Sequence, residues 1–128
     1  LATAAADTTA SEIGQLIPRR AFLPLTLKRV PVGTEGAITV EGTVAGAIGA
    51  IGGAVASVTA FNAAFDSIRL GIDAIAAIAV CAFLGTYLES LLGNWNRKRI
   101  DPLPNGVLNF FNTLAGALLM YGAWQILH

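Results

Sequence analysis

Three apolar runs, at residues 40–64, 70–92 and 107–127, constrain the fold of this chain more than any other feature. Each is about twenty residues long, and a helix of that length crosses the ~30 Å hydrocarbon core of a bilayer at ~1.5 Å per residue. Charged residues make up only 12% of the 128 residues and hydrophobic residues 55%, whereas soluble domains carry roughly 25% charged residues. The sequence therefore predicts a membrane-spanning protein.

A fourth helix is predicted at the start of the chain, where residues 1–17 are rich in alanine and Pro18 ends the pattern. We predict an all-α, polytopic membrane protein whose residues 1–128 form a single transmembrane domain. Its four transmembrane helices are expected at residues 1–17, 40–64, 70–92 and 105–127. The interfacial loop between the first two contains weakly alternating segments at 25–30 and 37–40, which fit a short hairpin and an irregular loop equally well.

Small residues recur every four positions along the second helix, at Gly42, Gly46 and Ala50 and again at Ala45, Gly49 and Gly53. Small residues at this spacing let the backbones of two membrane helices approach closely. The pattern predicts that this helix is central and packs against neighbours on several sides.

The chain starts without methionine and its first residues read as the middle of a helix, so we expect the C-terminal part of a longer protein.

Several functional classes are excluded or given no support by composition. A net charge of zero gives no electrostatic basis for nucleic-acid binding. Cys81, alone in an apolar run, is predicted to be a buried structural residue. The sequence contains no P-loop motif, one histidine and one cysteine, so nothing indicates a zinc or haem site.

The predicted topology places nearly all the basic residues on one side of the membrane, here called the basic side. If the chain crosses at each predicted helix, loops 19–39 and 93–104 share this side. Seven of the eight basic residues then lie there, namely Arg19, Arg20, Lys28, Arg29, Arg97, Lys98 and Arg99. The positive-inside rule makes this side cytoplasmic, or stromal in a plastid.

Acidic and amide side chains are predicted to gather on the same side. They lie within about two helical turns of its surface, and they are Glu12, Glu41, Glu89, Asn105 and Asn109. Carboxylate and amide oxygens suit Mg²⁺, while basic side chains and glycine-rich backbone suit phosphate oxygens. The arrangement favours phosphoryl transfer from a nucleotide to a phosphorylated lipid. The simpler interpretation also stays open: acids that only reach the interface, amides that only join helices, and Arg97–Arg99 that only set topology.

Four sequence blocks resemble the DUF92/TMEM19 family of integral membrane proteins. They are ADTTASEIG at 6–14, VPVGTEGAITVEGTVAG at 30–46, LESLLG at 88–93 and NGVLNFFNTLAGALL at 105–119. The plant and cyanobacterial branch of that family is the phytyl-phosphate kinases of tocopherol and phylloquinone synthesis. The resemblance implies an integral protein of a chloroplast membrane (thylakoid or envelope) or a cyanobacterial membrane, with an isoprenoid lipid phosphate and membrane lipid as partners.

The family is distantly similar to phytol and dolichol kinases, and this similarity implies roles for particular residues. Asp7, Ser11 and Glu12 match the acidic helix motif of those enzymes, and Glu41, Gly42 and Thr43 match their Glu-Gly-Ser element. The implied reaction is transfer of a phosphoryl group from CTP, or another nucleoside triphosphate, to phytyl or polyprenyl phosphate, giving the diphosphate.

The combined prediction assigns a role to each candidate residue. Catalysis is assigned to Asp7, Glu12, Glu41 and Glu89, and Mg²⁺ binding to Asp7, Glu41 and Glu89. Nucleotide and phosphate binding is assigned to Lys28, Arg29, Gly33, Thr34, Glu35, Gly36, Gly42, Thr43, Asn105 and Asn109. Glu41 is expected to be a fixed ligand on a rigid helix, and Glu35 to sit on a mobile flap. Arg97–Arg99 are expected to attract the triphosphate.

Two alternative functions remain open. The family commonly has an acidic residue directly after the first asparagine of its last block, where this chain has Gly106. That difference motivates a non-catalytic membrane subunit, associated with other subunits of a photosynthetic pigment–protein complex. A transporter is the third alternative, although the acids cluster at one interface and transporter sites usually lie near the midplane.

Overall fold

The structure, a computed structural model, describes residues 1–17, 20–65, 67–96 and 103–127. It contains four helices and one two-stranded hairpin in these ranges. In chain order they are α1 (Ala2–Leu16), β1 (Ala21–Phe22), β2 (Arg29–Val30), α2 (Val40–Ala64), α3 (Ile72–Asn96) and α4 (Asn105–Leu127). The four predicted helices are thereby confirmed, and the predicted starts of α2 and α4 coincide with the observed ones.

The end of α3 differs from the prediction. Gly93 was expected to begin a loop, but α3 continues through it to Asn96. A Cβ atom on Gly93 would lie 3.0 Å from the backbone nitrogen of Gly36. Gly93 therefore lets the loop before α2 approach the helix, and it does not terminate the helix.

Two of the four helices are long and apolar enough to span a membrane, as judged over the described residues. These are α2 and α3, and only 28% of the apolar window of each is buried inside the protein. The core helix of a soluble protein would be mostly buried, whereas most of the surface of these two helices is exposed in this part of the protein. At 15 residues, α1 is about 22 Å long, which is shorter than the bilayer core. That α1 and α4 also span the membrane stays a prediction.

The close contact of α1 with α2 is the most extensive helix pair in the fold. The two helices run antiparallel: a Cβ on Gly42 would lie 2.6 Å from the carbonyl oxygen of Ala10, and a Cβ on Gly53 would lie 2.6 Å from the Cα of Ala2. The predicted small-residue series thus faces α1, and each glycine lets the two backbones meet without side chains between them.

The prediction that α2 is central and packs on several sides is borne out only for its contacts with α1 and α3. α1 and α3 each pack against the other three helices, whereas α2 packs mainly against α1 and α3. The buried core is built from alanines, namely Ala2, Ala6, Ala50, Ala54 and Ala82. The outward face of α2 is exposed and apolar, at Val40, Val44, Ile48, Ile51 and Val55.

The connection from α1 to α2 is a hairpin followed by two tight turns. β1 pairs antiparallel with β2 through Ala21 with Val30 and Phe22 with Arg29. Ile38 then bridges to Phe22 on its other edge, with two backbone hydrogen bonds of 2.8 Å. The hairpin alternative is confirmed, although its first strand precedes the segment at 25–30 that showed alternation.

Two consecutive β-turns, at residues 31–34 and 34–37, form the segment that docks on α3, here called the turn segment. The amide of Thr34 donates to the carbonyl of Pro31 at 3.2 Å, and the amide of Ala37 donates to that of Thr34 at 3.0 Å. The third position of each turn is a glycine with positive φ, +86° at Gly33 and +72° at Gly36, as a type II turn requires. Thr39 then caps α2, because its Oγ1 accepts from the amide of Gly42 at 2.9 Å.

The α1–α2 contact predicts opposite effects for the same substitution at two adjacent glycines. Gly52→Ala should raise the free energy of unfolding by up to about 1 kcal/mol, because alanine favours the helix and no atom lies within 4 Å of the added Cβ. Gly53→Ala should lower it, because the added atom meets the backbone of Ala2 and overpacking costs about 1–3 kcal/mol. Thermal unfolding of both variants in detergent measures this, and stabilisation by both would contradict the packing.

The two turn glycines also predict a contrast. Asparagine tolerates the left-handed backbone region better than other non-glycine residues. Gly33→Asn should therefore change the melting temperature little, because nothing lies within 4 Å of its Cβ. Gly36→Asn should lower it clearly, because its Cβ would lie 2.6 Å from the carbonyl oxygen of Ser90. Equal melting temperatures would show that Gly36 does not hold the loop against α3.

Candidate functional site

A cavity of about 550 Å³ lies at the end of the bundle where α1 and α3 end and α2 and α4 begin. All four helices and the turn segment before α2 contribute to it. Of the predicted site residues, it is lined by Asp7, Gly33, Thr34, Glu35, Gly36, Gly42, Thr43, Glu89 and Asn109. Along α3 it extends from Phe83 to Gly93, a distance of about 15 Å.

Asp7 and Glu89 form the centre of the cavity's acidic wall. Their carboxyl groups, one on α1 and one on α3, are close enough to interact. Asn112 of α4 donates from its Nδ2 to Oε2 of Glu89. Three helices therefore meet at Glu89, which accepts a hydrogen bond from Asn112 of α4 and lies beside Asp7 of α1.

Glu35 is fixed in place at the opposite end of the cavity. Its Oε1 accepts from Nδ2 of Asn96 at 2.9 Å. Asn96 also donates to the carbonyl of Leu103 at 3.1 Å and accepts from the amide of Leu103 at 2.7 Å. Glu35 was expected on a mobile flap, and the structure places it instead on a docked turn hydrogen-bonded to the end of α3.

Four predicted residues do not line the cavity. Lys28 and Arg29 are exposed on the hairpin, Glu12 is exposed on α1, and Glu41 lies half-buried in the first turn of α2. The Thr39 cap fixes where α2 starts, so Gly42, Thr43 and Gly46 point into the site. Glu41 precedes Thr43 by two residues, about 200° around the helix. The expectation that Glu41 is the fixed ligand of this site is corrected accordingly.

Other predicted residues fall outside what the structure describes. Arg97, Lys98 and Arg99 lie in the range 97–102, and the side chain of Asn105 is likewise not described. Their predicted roles in attracting or orienting phosphates stay predictions.

The charge of the cavity is strongly one-sided. Asp7, Glu35 and Glu89 all line it, and no lysine or arginine among the described residues does. Within the same residues, no three His, Cys, Asp or Glu side chains come together as a metal-binding group. Of the predicted metal ligands Asp7, Glu41 and Glu89, only Asp7 and Glu89 line this cavity, and Mg²⁺ binding by any of them stays a prediction. Such a pair fits Mg²⁺, which proteins commonly hold through one or two carboxylates together with substrate phosphates.

Two asparagines were not singled out as site residues from the sequence. The contact of Asn112 with Glu89 was not foreseen, and Asn96 was expected to lie in the loop 93–104. A polar residue inside an apolar run is the signal that points to Asn112. The position of Asn96 depended on where α3 ends. Gly93 suggested an earlier end, so Asn96 was assigned to the loop that was expected to follow.

Comparison with known proteins places the chain in a family. Residues 1–117 match the family described as Integral membrane protein DUF92. An uncharacterized membrane protein of Synechocystis sp., sll0875, is 38% identical over 120 residues, which cover 94% of this chain and 44% of that protein. Protein VTE6, chloroplastic, of Arabidopsis thaliana is 33% identical over 122 residues, which cover 91% of this chain and 34% of that protein.

No solved structure matches the chain. It spans less than half the length of both curated relatives. The match over residues 1–117 nevertheless contains α1, α2, α3 and the part of α4 that lines the cavity. The chain belongs to the DUF92 family of integral membrane proteins.

Proposed function

We propose that this chain forms the catalytic end of a membrane-embedded lipid-phosphate kinase, which transfers a phosphoryl group from CTP or another nucleoside triphosphate to phytyl or polyprenyl phosphate. The observation that carries this proposal is the cavity itself. The carboxyl groups of Asp7 and Glu89 form its acidic wall, and Gly46 and the apolar ring of Phe83 line another part of it. A substrate with a charged head and an apolar tail fits such a cavity.

The acidic wall determines how a nucleotide binds. A triphosphate carries several negative charges, and it meets Asp7, Glu35 and Glu89 without a described lysine or arginine beside them. Repulsion is avoided when the nucleotide arrives as its Mg²⁺ complex, and Asp7 and Glu89 are the residues that would hold the ion. The ion would neutralise charge on the phosphates, which is the main requirement of phosphoryl transfer.

The lipid tail is accommodated between α2 and α3. Away from the polar end, the two helices touch through Ala50 and Ala54 on one side and Ala82 and Phe83 on the other. Towards the polar end the cavity separates them, between Thr43 and Gly46 of α2 and Phe83 and Tyr87 of α3. Tyr87 is 41% exposed, so the gap reaches the lipid-facing surface at that residue.

The reaction then proceeds at the boundary between these two regions. A phosphate oxygen of the lipid attacks the γ-phosphorus of the nucleotide, a new P–O bond forms, and the bond to the β–γ bridging oxygen breaks. The nucleoside diphosphate leaves with the electron pair of that bond. Asn109, exposed at the edge of the cavity, is placed to donate to phosphate oxygens and orient them.

The hairpin and the turn segment have supporting roles in this proposal. Lys28 and Arg29 are exposed on the hairpin and contribute positive potential that draws nucleotide towards the cavity. The basic side would face the cytoplasm or the plastid stroma, where nucleoside triphosphate is available. Membranes of chloroplasts or cyanobacteria are the proposed location, in line with the organisms of the two relatives.

A non-catalytic membrane subunit is the competing proposal. Gly106 is exposed and nothing lies within 4 Å of its Cβ position, so the chain has room for the acidic residue that the resemblance leads one to expect there, yet lacks it. This alternative predicts stable co-purification with other membrane subunits and no effect of nucleotide on the melting temperature.

The kinase proposal predicts the behaviour of purified full-length protein in detergent with phytyl phosphate, CTP and Mg²⁺. Phytyl diphosphate should form, and Asp7→Asn or Glu89→Gln should lower kcat/KM at least about 100-fold, because each removes a charge that holds the metal–nucleotide complex. Product formation by mass spectrometry measures this.

Asp73→Asn is the matched control, because it makes the same carboxylate-to-amide change at the opposite end of α3. Its kcat/KM should stay within about twofold of the unaltered protein, since surface substitutions are usually near neutral. Absence of product with every nucleotide tried, together with co-purification in a large complex, would favour the non-catalytic alternative. Unimpaired Asp7→Asn and Glu89→Gln variants would refute the assigned roles.

A further inference from the structure

The two largest fully buried side chains of the described residues are both asparagines. They are Asn96 and Asn112, each 1% exposed. Each donates from its Nδ2 to a carboxylate that lines the cavity, Asn96 to Glu35 and Asn112 to Glu89. Burying an amide costs free energy unless its hydrogen bonds are made, so each of these two asparagines needs a structural or functional reason.

The burial of Asn96 has a sufficient structural reason. Its Oδ1 accepts from the amide of Leu103, and its Nδ2 donates to the carbonyl of the same residue as well as to Glu35. The side chain therefore replaces backbone hydrogen bonds at the end of α3 and joins it to the segment before α4. Asn62 makes the same pair of bonds with Leu70 between α2 and α3.

Asn112 lacks such a reason. It lies about two turns after the start of α4 and joins no connection between helices. Its buried Oδ1 has no hydrogen-bond partner in the part of the chain that the structure describes. That oxygen is directed at the α3 backbone near Gly85, since a Cβ there would lie 3.2 Å from it. An apolar side chain of similar size would avoid the cost of the unpartnered oxygen. The one polar bond that Asn112 makes is the one to Glu89.

We propose that Asn112 is a positioning residue for Glu89 in the cation–nucleotide site, a role that rests on the proposed function. Its Nδ2 donates to Oε2 of Glu89 and so restricts the rotation of this carboxyl group, which lies close enough to Asp7 to interact with it. In this orientation the two acids would share one divalent cation. Close packing keeps the amide in this orientation. Gly85 of α3 and Gly116 of α4 have no side chains, and Thr3 of α1 fills the space between them.

The test uses Mn²⁺ as a probe for the divalent cation, titrated into the full-length protein in detergent without substrate. Bound Mn²⁺ is measured by electron paramagnetic resonance. Asn112→Leu, similar in size, and Asn112→Ala, smaller and free of overpacking, both remove the donor. Both should raise the Kd for Mn²⁺ about 10-fold or more, as loss of a hydrogen bond to a metal-binding carboxylate typically does.

Asn62→Leu is the control, because it removes an amide of the same kind at the other end of the bundle. Its Kd for Mn²⁺ should match that of the unaltered protein. In the kinase reaction, the Mg²⁺ concentration for half-maximal rate should rise in both Asn112 variants more than kcat at saturating Mg²⁺ falls. A purely structural role would lower the amount of active protein and leave that concentration unchanged.

The role of Asn112 would be overturned if both variants bound Mn²⁺ with an affinity within twofold of that of the unaltered protein. It would also be overturned if the unaltered protein bound no Mn²⁺. Aggregation of both variants would overturn it too, because that result would show a packing role. Failure of the proposed function gives a different result. A protein that forms no diphosphate, yet binds Mn²⁺ with an affinity that depends on Asn112, would refute the kinase and retain the positioning role.

Discussion

The close approach of α1 to α2 is the contact on which the candidate site depends. Glycines at Gly42, Gly46, Gly49 and Gly53 let the two backbones meet over most of the length of α1, so dispersion contacts are made without long side chains between the helices. This leaves the other face of each helix free. Asp7 of α1 can then reach across to α3, and the start of α2 can stand away from α3 to leave the cavity. A bulky residue on this seam would move Asp7 relative to Glu89.

A second constraint comes from the connections between helices, which polar side chains hold to the helix ends. The turn segment is held by Gly36 against α3 and by Asn96 on Glu35, while Asn62 and Asn96 close the two helix–helix connections. Backbone groups near a membrane surface need hydrogen-bond partners where lipid excludes water, and side-chain amides supply them here. The two turns before α2 are therefore held in place by hydrogen bonds and close contacts, as the helices that line the cavity are. Such an arrangement suits a site that works by positioning.

The sequence predicted the helices well and the details of the site unevenly. Apolar length, alanine content and small-residue spacing were sufficient for the four helices and for close packing by α2, because these are properties of single elements. They did not identify α1 as the partner of the small-residue series. Which acids enter the cavity depended on helix rotation: the Thr39 cap turns Thr43 inward and Glu41 away, and one residue of error reverses that result. The contacts of Asn96 and Asn112 depended on how separate helices meet, and a single sequence carries no direct record of such pairings.

The distribution of charge explains why acids line the cavity while the exposed basic residues lie outside it. The carboxyl groups of Asp7 and Glu89 lie close enough to interact, and at such a separation two ionised carboxylates repel each other. A polyphosphate alone would be repelled by both. In the proposed kinase, a divalent cation would reverse both interactions, because it would attract the two carboxylates and the phosphates at once. Lysines inside the cavity would pair with the acids and weaken their hold on the cation. Placed on the hairpin, as Lys28 and Arg29 are, positive charge can raise the local concentration of nucleotide without competing for the site.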